Sequence, residues 1–320
     1  MSLYRNRLPQ LADNVFLTDG GCETTYIFHE GKELPYFALF DLLKSEEGRA
    51  WLQSYYARYM AIAKSNGTGF ILESPTWRAN PDWAAKLGYS QAALDAANAQ
   101  AIDVMRTLRD HAMAKDGGKA QPIVISGCLG PRGDGYDPGQ IMTATEAEEY
   151  HSAQIRVFAA SQADMVSAMT MTNAEEAIGI ARAAASAGIP SAISFTLETD
   201  GKLPTGQSLR DAIETVDDET DGSPAYFCIN CAHPTHFTTM LANDGDWLLR
   251  LRGIRANASK RSHAELDEAT DLDDGDPVQL GREYLAIRRH APWINVLGGC
   301  CGTDHRHVEQ IGHCCASAAG

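Results

Sequence analysis

Eight short, continuously apolar runs punctuate this chain, and alanine-rich stretches with helical periodicity separate most of them. The runs are VFLTDGG from Val15, GFILESP from Gly69, PIVISGCLG from Pro122, DMVSAMT from Asp164, SAISFTL from Ser191, YFCINC from Tyr226, LRGIRANA from Leu251 and INVLGGCC from Ile294. Apolar continuity, rather than strict alternation, marks strands buried on both faces, as in parallel sheets. Helices are predicted over 46–66, 91–115, 144–161, 173–187, 208–217 and 278–290. In TNAEEAIGIARAAASAG, Asn173 offers an N-cap and Gly188 follows the last turn. Strands alternating with helices in this way predict an α/β protein, a (β/α)8 TIM barrel spanning 1–320 as a single domain. Two stretches weaken the alternation. PTHFTTMLANDGDWLL, between the sixth and seventh strands, holds only a short helix, and 257–277 reads as a long acidic loop whose run 265–276 is expected to be a solvated surface.

Composition narrows the class. With 44% hydrophobic and 22% charged residues the chain is ordinary globular material with enough apolar content for a large core. The 42 acidic residues outnumber the 27 basic ones, giving a net charge of −15. Nucleic acid and anionic membranes both require a basic footprint, so neither is expected as a partner. The start, MSLYRNRLPQLADN, lacks the apolar centre of a signal peptide, and no window approaches the roughly 18 apolar residues of a spanning helix. Eight cysteines without export features predict a reducing, cytoplasmic setting, where thiols serve metals or catalysis more often than disulfides. Nothing here sets the oligomeric state; a homo-oligomer is compatible with the composition.

If the barrel forms, all strands open at their C-terminal ends onto one face, where barrel enzymes keep their chemistry. That rim would carry Asp19, Glu73, Cys128, Cys231, Asn257 and the pair Cys300–Cys301. The pair lies in LGGCCGTDHRHV. Neighbouring residues on a regular strand face opposite ways, so both sulfurs reach one target only if the backbone bends, which the flanking glycines permit. The competing reading is two buried thiols packed in a tight turn. Together with Cys231 the pair makes three thiols at neighbouring strand ends. Zinc takes thiolates tetrahedrally, and three protein ligands leave a position for a substrate. A substrate thiol placed there would ionise at neutral pH and become a nucleophile. Cys228 should face elsewhere on its strand. Cys314–Cys315 reads as a packing pair, and His305 and His307 as helix-start or surface residues, because alternate helical positions do not share a face.

Several segments carry a family resemblance. DGG at Asp19–Gly21, ILESPTWRAN, SGCLGPRGDGY, INCAHPTHF and GGCCGTDHRHV resemble, in order, signature segments of the homocysteine S-methyltransferase family, over about residues 11–313. This is the zinc barrel shared by betaine-, S-methylmethionine- and folate-linked methyltransferases. The resemblance implies a (β/α)8 barrel, Zn2+ on Cys231, Cys300 and Cys301, and Asp19 holding the amino group of homocysteine. Gly20, Glu73 and Asn257 complete the expected substrate set. The family's second acid, at the end of the fourth strand, is replaced here by Met169, so Glu73 or Glu198 becomes the candidate to compensate. Betaine users place aromatics near the second strand, but Trp77 is followed by Arg78, which does not support a betaine cage. The chain is too short for cobalamin and folate modules. The expected reaction moves a methyl group from S-methylmethionine or S-adenosylmethionine to homocysteine, giving methionine. Two other readings stand beside it: a zinc- or thiol-binding protein without turnover, favoured by the missing acid, and a zinc hydrolase using His305 and His307. The latter is disfavoured because the strand ends carry no histidine.

Overall fold

The computed structural model describes residues 2–115, 121–241 and 245–316. Its eight strands are β1 (Phe16–Leu17), β2 (Gly69–Glu73), β3 (Ile123–Leu129), β4 (Met165–Met171), β5 (Ser191–Thr196), β6 (Tyr226–Asn230), β7 (Leu251–Ala256) and β8 (Val296–Gly299). All pair in parallel in chain order, and β8 returns to β1 to close the barrel. Every apolar run became a strand. β1 is assigned only two residues, although Thr18 N–H still donates to the Leu297 carbonyl and Gly299 N–H to the Asp19 carbonyl. Strand residues are buried on both faces, except that Arg252 and Arg255 of β7 are half-buried.

The barrel is surrounded by α1 (Glu46–Ser65), α2 (Gln91–Lys115), α3 (Ala144–Ala160), α4 (Ala174–Ser186), α5 (Leu209–Thr220), α6 (Pro234–Leu241), α7 (Pro277–His290) and α8 (His305–Ala316). Local chemistry sets their starts. The Thr143 hydroxyl accepts from Glu146 N–H while the Glu146 side chain returns to Thr143 N–H, a reciprocal cap for α3. Asn173 caps α4 as expected, accepting from Glu176 N–H. α6 is the short helix expected between β6 and β7; its loop at 242–244 lies outside the described residues. Among the described residues no helix is long and apolar enough to cross a membrane.

The acidic segment departs from expectation. It contains a short helix, His263–Asp267, behind a Ser262–Glu265 capping box. Leu266, Ala269 and Leu272 are half-buried and line the cavity described below, while Glu268 and Thr270 are exposed. The apolar residues recur every third position, which gives this charged run one inward edge. It is a cover with a solvated outer side rather than a wholly solvated surface.

Candidate metal and substrate site

A cavity of about 310 Å³ opens at the C-terminal face of the barrel, and Asp19, Glu73, Met169, Cys231, Arg255 and Cys300 are among its lining residues. The ligating atoms of Cys231, Cys300 and Cys301 all lie within 4.8 Å of one another. The glycines explain how adjacent cysteines converge. A side chain at Gly298 would strike Thr18, and one at Gly299 would strike Thr303. Gly302 sits at φ +77°, turning the chain back so that Thr303 N–H donates to the Cys300 carbonyl at 3.1 Å. Cys231 is itself in the left-handed region, at φ 54°, as the chain leaves β6. The bend that the sequence required is therefore present on both strands.

Asn230 ties these pieces together. Its amide donates to Thr170 Oγ1 at 2.8 Å and to Cys231 Sγ at 3.2 Å, and its carbonyl accepts from Thr170 N–H at 2.9 Å. Thr170 has φ 66°, and the β4–β5 register shifts between Ala168 and Met171. This irregularity leaves Met169 buried yet lining the cavity, with its carbonyl accepting from Trp77 Nε1–H. Tyr136 Oη lies 3.1 Å from Cys301 Sγ, and its ring stacks on His263 at 4.0 Å. His263 Nε2–H donates to the Cys231 carbonyl at 2.7 Å, and Nδ1 lies 3.1 Å from the Glu198 carboxylate. Glu198 is thus occupied by His263 and is not among the cavity-lining residues.

The donor set fits a thiophilic ion such as zinc. Three sulfurs converge without a competing carboxylate among the clustered ligand atoms. Hydrogen bonds from Cys231 and then Cys301, helped by the Arg255 charge, hold Cys300 well below the usual thiol range. The hydrogen bond to its sulfur in turn raises the Cys231 thiol above the usual range.

Asp19 is buried, and burial raises its carboxyl above the usual range while Arg255 opposes that rise. Arg255 Nη2–H donates to Asp19 Oδ1 at 2.6 Å, Tyr55 Oη–H donates to Oδ2 at 3.2 Å, and Arg255 Nε–H donates to the Gly299 carbonyl at 3.2 Å. Burial works against the Arg255 charge, but Asp19, Glu73 and Cys300 hold it protonated. Glu73 lines the cavity with Oε2 unpartnered, and burial pushes its carboxyl up to about 7. Glu23 is raised to about 7 for the same main reason. Gly20 lines the cavity, and its carbonyl, 3.1 Å from Tyr55 Oη, shares that single hydroxyl hydrogen with Asp19 Oδ2.

Other expectations resolve differently. Asn257 is buried with Oδ1 unpartnered, and it is not among the residues that line the cavity. His307 opens α8 but is not a surface residue: it is fully buried, Nδ1 accepts from Asp304 N–H and Nε2–H donates to the Asp274 carbonyl. His305 lies 3.4 Å from Arg58, so the two histidines share no target. Cys228 packs inside the lower barrel with Phe16 and Val296, and Cys315 is buried under α8 with its carbonyl accepting from Arg288. The Arg78 guanidinium lies over the rings of Trp77 and Trp83, 4.0 and 3.9 Å from their centroids, so a protein cation already covers the Trp77 ring. Arg255, Asn230, Thr170, Tyr136 and His263 were not read as site residues. For Arg255 a signal existed, a charged residue one position before the C-terminal end of a strand.

No curated protein matches the chain. Among solved structures, the homocysteine methyltransferase MmuM from Escherichia coli superposes in its oxidised form with a TM-score of 0.73 at 19% identity, covering 95% of this chain and 97% of that one. Its metallated form gives 0.71 at 19% identity, covering 94% and 96%. That likeness carries the fold. The sequence profile of the homocysteine S-methyltransferase family matches residues 16–315, which takes in the whole barrel and all three clustered cysteines. The chain belongs to the homocysteine S-methyltransferase family.

Proposed function

We propose that this protein is a zinc-dependent enzyme that methylates the thiol of homocysteine from a sulfonium donor, S-methylmethionine or S-adenosylmethionine. The convergence of Cys231, Cys300 and Cys301 on the floor of the cavity is the observation that carries this reading. Zinc held by these sulfurs would supply the charge that keeps a substrate thiol ionised at neutral pH. The chain's own groups do the rest. Asp19 receives the substrate ammonium, and the walls exclude water and fix the sulfur against the incoming methyl group. The thiolate attacks the methyl carbon, the donor's C–S bond breaks, and its electron pair leaves as a neutral thioether. Such a leaving group needs no proton, so the step makes no demand on a general acid. A cationic donor also suits an opening where Glu23, Asp134, Asp271 and Asp273 all line the wall.

The test is to incubate zinc-loaded protein with homocysteine and a panel of donors: S-methylmethionine, S-adenosylmethionine, betaine and a methylated folate. Methionine should form with a sulfonium donor and cease on chelation. Zinc binding without methionine from any donor would select the binding-protein reading instead.

A further inference from the structure

We infer that Arg255 reads the substrate's carboxylate, so that Asp19 and Arg255 together grip a zwitterion, one charge each. This rests on the reading of the cavity as a thiol methylation site. The geometry gives the guanidinium a role beyond an ion pair. Nε and Nη2 are tied to the Gly299 carbonyl and to Asp19, which fixes the plane of the group at the end of β7. Nη1 has no hydrogen bond among the described residues and is not one of the buried unpartnered atoms, and Arg255 lines the cavity. A held guanidinium with one free edge in a cavity is a receptor for a carboxylate oxygen.

Charge complementarity leads to the same assignment. If the pocket recognised only an ammonium, a fixed cation on Asp19 would repel it and weaken the site. Met169 lines the same cavity and contributes no charge to it. A ligand carrying both charges resolves the conflict. Its ammonium meets the Tyr55-bonded side of Asp19 and the unpartnered oxygen of Glu73, while its carboxylate takes Arg255. Arg255 Nε–H bonds the carbonyl of Gly299, the residue before Cys300, so the guanidinium stands near the sulfur cluster. Only three carbons separate sulfur from carboxylate in homocysteine, so both ends fit one wall.

Thioether ligands test this without any demand on the metal. Calorimetry would compare methionine, 4-(methylthio)butanoate, which lacks the amine, and 3-(methylthio)propan-1-amine, which lacks the carboxylate, on the full chain. The parent should lose roughly ten- to a hundredfold in affinity when the carboxylate is removed. Arg255→Gln should weaken methionine and the butanoate by a similar factor and leave the amine unchanged or tighter. Arg255→Lys keeps the charge beside Asp19 and should lie between; if the glutamine variant does not fold, the lysine variant decides. Three binding results would overturn the assignment: no binding of methionine to the parent, no loss of affinity when the carboxylate is removed, or a carboxylate effect that persists in both variants. A parent that binds methionine through Arg255 yet makes none would sink the methyltransferase reading and leave this assignment standing. Methylation of homocysteine unaffected by Arg255→Lys and Arg255→Gln would do the reverse.

Discussion

The two ends of the barrel are built from the same strands but to different rules. At the N-terminal end Asp164 accepts from Leu3 N–H, Tyr4 N–H, Arg109 Nη1–H and Ile125 N–H, all between 2.7 and 2.9 Å, and so pins the leading segment beneath the barrel. Phe16, Ile71, Val124, Met165 and Tyr226 fill the lower interior, and Gln10 reaches in to Met165. The C-terminal end instead has the β4 register shift, left-handed non-glycine residues at Phe37, Thr170 and Cys231, and the charged groups Asp19, Glu73 and Arg255 in one cavity. Unpartnered polar atoms do not separate the ends, since Gln10 Oε1 and Asn295 Oδ1 are orphaned below just as Glu73 Oε2 is above. The setting of the charges does: Asp164 and Arg109 bond each other in the interior below, whereas Asp19, Glu73 and Arg255 line a cavity above. The lower end stabilises the barrel, and the upper end uses that stability to hold geometry that would not persist alone.

Substitutions at the two ends should therefore fail in different ways. Cys301→Ala should have the largest effect on the upper end. Losing even an outer partner of a metal site costs about ten- to a hundredfold in affinity, so losing a ligand should exceed roughly a hundredfold. Metal analysis should show little zinc and assays little methylation, with the unfolding midpoint of the chelated protein near that of the chelated parent. Full zinc occupancy would remove Cys301 from the ligand set. Asp164→Ala is the counterpart below. It strands Arg109, which is almost wholly buried, and should cost about 3–5 kcal/mol in denaturant unfolding. The remaining folded protein should bind zinc as the parent does. A loss of zinc affinity in the folded fraction would show that the two ends are not independent.

The sequence was most legible where a residue's role follows from local pattern. Continuous apolar runs marked all eight strands, and Asn173 and Gly188 bracketed α4 because caps act within a single turn. The cysteine triad was readable for a related reason: barrel topology brings strand ends together whatever lies between them. Partnerships across the rim were not readable. That Arg255 bonds Asp19, 236 residues away, depends on rotamers and on the neighbouring β7–β8–β1 arrangement, neither of which leaves a periodic trace. Asn257 shows the converse error. Its place at a strand end was legible, but the side chain is buried away from the cavity-lining set. The acidic segment misled because net charge hid its three inward apolar residues.

The smallest predicted effect concerns Glu73, and it tests whether the upper end really stores charge at the expense of stability. Its carboxyl ordinarily titrates near 4.5 and is held at about 7, chiefly by burial, with Arg255 pulling the other way. The folded protein therefore binds a proton at Glu73 that the unfolded chain has already released between those values. Stability from this residue is fully present below about 4.5 and is lost as pH rises through about 7. Complete ionisation would cost at most about 3 kcal/mol. Glutamine resembles the protonated acid, though its amide must still find partners, so a gain on the order of 1–2 kcal/mol is expected. Glu73→Gln should unfold in denaturant like the parent at pH 5 and later than the parent at pH 8. The same increment at both values would mean that Glu73 carries no penalty when charged. The upper end would then hold its Glu73 charge with no more penalty than the lower end holds the Asp164–Arg109 pair.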